Sequence, residues 1–266
     1  MKRAAFPPLS KAMLSRFAKL GQKKYRDIEG LFIAEGLRTV RELLDHLPEP
    51  GMLEALIIEE GALDRMQGLK RFSGRVFLAD KESIARLAET ATPQGVFGVF
   101  RKQPSGTLPT TSNDQRSFIV ALDDVQDPGN VGTIIRTAAW YGAEAVVCGE
   151  GTADPYNAKA VRSSAGSIYA VRHYAVPSLV QELQRFRKAG HLITAASLDG
   201  TDYRSFTGWP DKRVLVVGNE ANGISRPVID LADRLLLIPH AGRRPNVESL
   251  NASVSAAILT AALSFV

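Results

Sequence analysis

The sequence predicts an α/β protein in two parts. A small α/β domain is expected over residues 1–101 and a linker over 102–116. Over 117–266 a mostly parallel sheet with helices on both faces is expected. Three observations lead there. Short apolar runs alternate with stretches of helical spacing along the whole chain. Residues 102–116 hold one large apolar residue, Leu108, and two prolines, a linker composition. In the second half the apolar runs end in polar, glycine-bearing loops, as buried parallel strands do.

Taken in order, Ser10–Leu20 has helical spacing, with Leu9, Met13, Leu14, Phe17 and Leu20 on one face. Leu31–Gly36 reads as a short strand, and Leu37–Leu47 as a helix stopped by Pro48. Ala55–Ile58, Val76–Leu78 and Val96–Phe100 read as strands, with a helix over Lys81–Glu89. Beyond the linker, Phe118–Leu122 is a strand. The turn Asp127–Asn130 then opens a helix to Tyr141, with Asn130 placed to cap it. Ala145–Cys148 is the next strand, followed by helices over Asn157–Ser163 and Ser178–Lys188. His191–Ala196, Val214–Val217 and Leu235–Ile238 are three more buried strands, and Ala252–Leu263 is a closing helix rich in Ala and Ser.

Composition narrows the function. The single cysteine, Cys148, excludes an intramolecular disulfide and a multi-cysteine zinc site. It suits a reducing cytoplasm, and its apolar run marks it as a small buried hydrophobe. No apolar run reaches the roughly 18 residues of a membrane span, and the N-terminus lacks a signal-peptide core. The four histidines show no metal-ligand spacing, so no metal is expected. No phosphate-binding glycine loop, dinucleotide fingerprint or nucleophile elbow is present. The net charge is +5, and eight basic residues from Lys2 to Arg26 precede the first acidic one, Asp27. Within that run Lys23, Lys24 and Arg26 are the candidate phosphate contacts. A solvated basic tail fits the same run.

Ligands of open parallel sheets gather at the carboxyl ends of the strands, so the loops there carry the candidate chemistry. The first loop runs from Asp123 to Gly132, with Arg136 beyond it in an otherwise apolar helix. That arginine is either snorkelling or recruited to a phosphate. Asp123 and Asp124 read as turn or salt-bridge residues. The second loop is Ala195–Gly200. The third is Gly218–Ile224, where Gly218 would let a ligand approach bare backbone and Glu220 either serves the site or caps a helix. The fourth leads from Ile238 to Ser249, Leu250 and Asn251, at a helix mouth where capping and ligand binding are both open readings.

Together these loops resemble the SpoU/TrmH family of RNA ribose 2′-O-methyltransferases, in the SPOUT superfamily. The likeness rests on three ordered motifs: Asp127–Ala138, Val217–Ser225, and Ile238–Pro239 with Gly242 and Val247–Val254. A looser likeness, carried by Lys24–Arg26 and Gly30–Gly36, links the N-terminal part to a ribosomal-protein-like RNA substrate-binding domain. The resemblance implies a trefoil knot in the C-terminal domain, a homodimer through that domain, and S-adenosylmethionine as methyl donor. It also implies RNA as substrate, more readily ribosomal than transfer RNA. It assigns Asn130, Arg136, Glu220, Ser249 and Asn251 to the catalytic site. Ala196, Ser197, Leu198, Gly218, Ile238 and Leu250 are assigned to the cofactor.

Arg136 has been proposed as the base in this family. A guanidinium pKa above about 12 makes it better suited to clamp a phosphate and stabilise the forming alkoxide. The loop from Arg243 to Val247 is about three residues longer than the family's usual one. A non-catalytic RNA-binding protein on this fold, and a base-methylating SPOUT enzyme, are the alternatives.

Overall fold

The computed structural model describes residues 6–104, 106, 108, 116–240 and 248–264. Two compact units emerge, Met1–Pro104 with Tyr156–Tyr169, and Ser105–Pro155 with Ala170–Val266.

In the first unit, α1 (Lys11–Ala18) starts at Ser10, whose hydroxyl accepts from Met13 N, and buries Leu14 and Phe17. A 3-10 turn (Lys19–Gly21) leads to α2 (Lys23–Glu29), a helix the basic residues hid because it has no apolar stripe. Then come β1 (Leu31–Glu35), α3 (Leu37–Asp45), β2 (Leu53–Glu59), β3 (Val76–Ala79), α4 (Lys81–Leu87) and β4 (Val96–Arg101). The sheet order is β1-β4-β2-β3, with β4 antiparallel to both neighbours and β2 parallel to β3. Phe17, Leu20, Leu31, Ile57 and Phe97 are among the residues that fill its core.

The second unit contains β5 (Ser117–Asp123), α5 (Pro128–Trp140) and β6 (Ala145–Cys148). The next helix, α6 (Ala158–Ser163), was expected within the C-terminal domain but clusters with the first unit. There follow β7 (Arg172–Ala175), α7 (Leu179–Lys188), β8 (Leu192–Asp202), β9 (Lys212–Gly218), α8 (Arg226–Leu231), β10 (Arg234–Leu237) and α9 (Ala252–Ser264). The order is β10-β8-β9-β5-β6-β7 and every described pairing is parallel.

The apolar runs are two-sided because both faces are covered. Ile119, Ala121, Val214 and Val216 meet Leu179, Leu183 and Phe186 of α7 and Val228 of α8. Alternate residues of the same strands (Val120, Leu122, Leu215, Val217) are equally buried on the other face. That face takes α9, which also packs on α5. The small residues of α9 allow that approach, with Ala256, Leu259 and Leu263 fully buried. Cys148 is 3% exposed, and burial first, then Asp154, pushes its thiol up to about 12. It stays protonated and serves packing. Among the described residues no helix is long and apolar enough to cross a membrane. The expected knot, Lys2, Arg3 and the lengthened Arg243–Val247 loop fall on residues outside the described ones, wholly or in their decisive part.

Candidate active site

Three loops at the carboxyl end of the second sheet are stitched together by side chains. After β5 the chain turns into α5, and Asp127 is the cap, accepting from Asn130 N at 3.0 Å, with Pro128 in the first turn. Asn130 is therefore not the cap. It sits inside the first turn, where its side chain is 9% exposed and donates from Nδ2 to Glu220 Oε1 at 2.8 Å. The backbone N–H groups of Gln126 and Asp127 also donate to Glu220, at 3.3 and 3.4 Å. The carboxylate thus lies at the mouth of α5, where the helix dipole favours negative charge. Asn251 completes the set by donating from Nδ2 to Asn130 Oδ1 at 3.1 Å. Its own Oδ1 accepts from Ser253 N at 2.9 Å, Ser253 Oγ at 2.6 Å and Val254 N at 3.3 Å, capping α9. The capping reading of that helix mouth therefore holds, and it falls to Asn251.

The electrostatics of Glu220 orient the whole network. Desolvation by burial opposes its ionisation. The Asn130 amide, its own backbone and the Gln126 and Asp127 N–H groups outweigh that and hold its pKa below the usual carboxylate value. An ionised carboxylate only accepts, so Asn130 must turn its NH₂ to Glu220 and its carbonyl to Asn251. Asn251 then keeps its oxygen for the helix. One charge fixes two amides.

The other assigned residues are placed differently. Arg136 is exposed on α5 and makes no ion pair among the described residues, and Ser249 is exposed without a hydrogen bond there. Ala196–Leu198 do not leave the sheet as a separate loop. They form an excursion inside β8, whose pairing to β10 jumps from Ala195↔Leu235 to Thr201↔Leu236. Gly200 permits this, because a Cβ there would come within 2.7 Å of the Leu235 backbone. Gly218 has a different duty from the one expected. The space beside it is filled by the chain's own Gly223, whose backbone a Cβ would meet at 2.5 Å, so its tight turn, not ligand approach, requires glycine. Arg26 is a correction: it is 3% exposed and donates to the carbonyls of Leu20 and Gly21, so it braces the first unit and cannot face RNA. Lys23 and Lys24 are exposed, the former paired with Asp27 at 2.5 Å.

The residues assigned to the cofactor include exposed apolar side chains. Leu198 and Leu250 are 67% and 47% exposed, large apolar side chains without cover, and Ile238 is half-buried. Ala195 is in register with Val216, so Ala196–Leu198 emerge beside Val217–Gly218. Asn219 is what sequence reading missed. It is 9% exposed, and its amide ties the β9 loop to Asp124. Its signal was an Asn after a strand-ending glycine, common turn chemistry.

Comparison with known proteins decides the family. The profile of the SpoU rRNA Methylase family matches residues 117–261, more than half the chain, and that of the MRM3-like substrate binding domain matches residues 13–98. The chain belongs to the SpoU rRNA methylase family. It is an RNA 2′-O-ribose methyltransferase with S-adenosylmethionine as methyl donor. It is 32% identical to the 23S rRNA (guanosine(2553)-2′-O)-methyltransferase RlmP of Bacillus subtilis (strain 168) over 91% of each chain. It is 27% identical to the 23S rRNA (guanosine-2′-O-)-methyltransferase RlmB of Neisseria meningitidis serogroup B (strain MC58), over 79% of this chain and 86% of that one. The AdoMet-bound rRNA methyltransferase of Sinorhizobium meliloti superposes with a TM-score of 0.78 at 30% identity, covering 97% of this chain and 95% of that one.

Proposed function

We propose that this methyltransferase modifies a ribose 2′-OH of ribosomal RNA in the cytoplasm. The observation that carries the reading is the Glu220–Asn130–Asn251 network, which joins all three motifs at one sheet edge. S-adenosylmethionine supplies a methyl already activated on a sulfonium, so the chain has to position the reactants and manage one proton. Ala196, Ser197, Leu198, Ile238 and Leu250 would hold the cofactor, with Gly218 contributing backbone groups only, since Gly223 fills the space beside its Cα. Glu220 is a poor base, since every N–H aimed at it stabilises its anion. Its part is to fix Asn130 and Asn251. Arg136, exposed and without an ion pair among the described residues, would take the RNA phosphate and stabilise the alkoxide as it forms. Ser249 lines the mouth with Asn251.

RNA binding falls to the first unit's Lys23 and Lys24. The Lys23–Asp27 pair is a surface i,i+4 pair worth about 0.5 kcal/mol at most, so a phosphate competes with it easily. Lys23→Ala with Lys24→Ala should weaken RNA binding several-fold and lower the slope of log affinity against log salt by about 1–2. An unchanged slope removes these lysines from the interface. Dimerisation through the C-terminal domain belongs to the same proposal. Trp140, Leu198, Leu250 and Val254, at 83%, 67%, 47% and 46% exposure, are apolar surface such a contact could cover. Sedimentation of the purified chain reads the stoichiometry.

The deciding experiment is tritiated-methyl transfer to ribosomal and transfer RNA pools, followed by mapping of the product. Label in ribosomal RNA as a 2′-O-methyl nucleoside is the expected result. Label confined to transfer RNA, or carried on a base, overturns it.

A further inference from the structure

A second layer lies behind the network. Asp124, the first residue after β5, has φ 58°, one of two described non-glycine residues in the left-handed region. That conformation costs most side chains on the order of 1 kcal/mol or more and is best borne by Asn and Asp. Here it is held from three directions. Asn219 Nδ2 donates to the Asp124 carbonyl at 2.9 Å and to its Oδ2 at 3.0 Å. Gln126 Nε2 donates to both carboxylate oxygens at 3.1 and 3.2 Å. On the remaining side lies Gly151, itself at φ 82°, where a Cβ would come within 2.1 Å of Asp124 Oδ1.

The two residues Asp124 grips are next to those that hold the site. Gln126 donates its backbone N–H to Glu220, and Asn219 immediately precedes Glu220. The Asn219 amide is fully used, because its Oδ1 accepts from Ala221 N and Asn222 N at 2.9 and 3.0 Å while Nδ2 holds Asp124. The β5 loop and the β9 loop are therefore clamped at Asp124–Asn219, one residue behind the point where Glu220 meets Asn130. Asp123 adds a parallel tie by accepting from Ser225 N at 2.7 Å.

We propose that Asp124 is a positioning residue for methyl transfer: its left-handed backbone and its carboxylate, locked to Asn219 and Gln126, set the distance between the Glu220 and Asn130 loops. It rests on the methyltransferase reading of that network. Asp124 touches neither substrate nor cofactor and acts through Glu220. Three substitutions separate its two contributions. Asp124→Asn keeps the left-handed preference and an acceptor for Asn219. Asp124→Gly keeps the backbone and loses the clamp, and Asp124→Ala loses both.

With ribosomal RNA as methyl acceptor, Asp124→Asn should stay within about twofold of the parent, while Asp124→Gly should lose about ten- to a hundredfold in kcat. The KM for S-adenosylmethionine should change little, as displacement of a catalytic group by about 1 Å predicts. Asp124→Ala should be lower still. A second measurement needs no turnover. In a carbon-13 carboxyl titration of the folded protein, the depressed Glu220 pKa should move up toward the usual carboxylate value in Asp124→Gly and stay depressed in Asp124→Asn. Parent-like kcat and an unmoved Glu220 titration in Asp124→Gly overturn the proposal. A parent inactive on ribosomal RNA overturns the ribosomal-substrate reading instead, and the titration still decides the clamp.

Discussion

The six-stranded sheet carries a polar network at each end, and the two are built for different purposes. At the carboxyl end Glu220, Asn130 and Asn251 join three loops, and Arg136, Leu198 and Leu250 are exposed. At the amino end Ser117, 3% exposed, bridges His191, 4% exposed, and Glu144. Its Oγ lies 2.9 Å from His191 Nε2 and donates to Glu144 at 2.6 Å. His191 Nδ1 faces the Phe186 carbonyl at 3.1 Å. A cavity of about 320 Å³ adjoins this end, lined by Arg116, Tyr141, Asp211 and Arg213 among others. There Arg116 pairs with Asp211 at 3.3 Å, and the Arg213 guanidinium lies over the Phe118 ring and donates to the Pro210 carbonyl at 2.6 Å. The difference is one of openness: the amino-end chain is sealed and spends its bonds on the fold. The carboxyl-end chain leaves donors and apolar surface facing outward. A void alone does not mark the chemistry; residual valence does.

The sharpest break of that contrast is Arg136→Ala. It removes an exposed cation with no ion pair among the described residues, so stability should change by less than about 0.5 kcal/mol. Methyl transfer should be abolished, with S-adenosylmethionine affinity by calorimetry nearly intact. Unchanged turnover removes Arg136 from the site.

Next comes Asn251→Asp, which separates cap from function on a single residue. Aspartate caps α9 as well as asparagine does, so the melting temperature should hold. It cannot donate to Asn130, and it brings a second carboxylate toward Glu220. Turnover should fall about tenfold to a hundredfold. A drop in melting temperature with parent-like kcat would mean that Asn251 is a cap and nothing more.

Ser117→Ala tests the other end. It leaves buried His191 and half-buried Glu144 without their bridge, at a cost of about 1–3 kcal/mol, which lowers the melting temperature by about 3–10 °C. The kcat of the folded fraction should match the parent. A kcat loss comparable to Asn251→Asp would join the two ends functionally and defeat the contrast.

Much of this was legible in the residues. Five of the six strands of the second sheet were, because their apolar runs are two-faced, and so was the alternation that makes the sheet parallel. What escaped had weak or edge-like patterns. β7 reads Arg-His-Tyr-Ala because it is an edge strand, and α8 announces itself only by Pro227 in its first turn. In the site, sequence picked Asn130, Glu220 and Asn251, which do meet. It misassigned the cap to Asn130 because Asp127 is an equally good cap three residues earlier. It sent Arg26 to solvent because a run of basic residues does not reveal which member turns inward. Gly200 and Gly218 show the same limit: a glycine signals close approach, and only the fold says of what.

The smallest expected effect is in pH, and it separates the ends once more. Burial holds His191 below its ordinary value of 6.5. The Phe186 carbonyl opposes that shift and Lys212 adds to it. The unfolded chain therefore takes up the proton first. The stability His191 lends is fully present above about pH 6.5 and is lost as pH falls through its depressed folded value. Glu220 is a depressed carboxylate. Its contribution is present above the ordinary carboxylate range, near pH 4.3, and is lost only below that, as pH falls through its folded value. Melting curves from pH 7.5 to 5 should thus slope downward in the parent and flatten in His191→Gln, while Glu220→Gln should leave that slope alone. A slope that survives in His191→Gln would place the acid-sensitive group elsewhere.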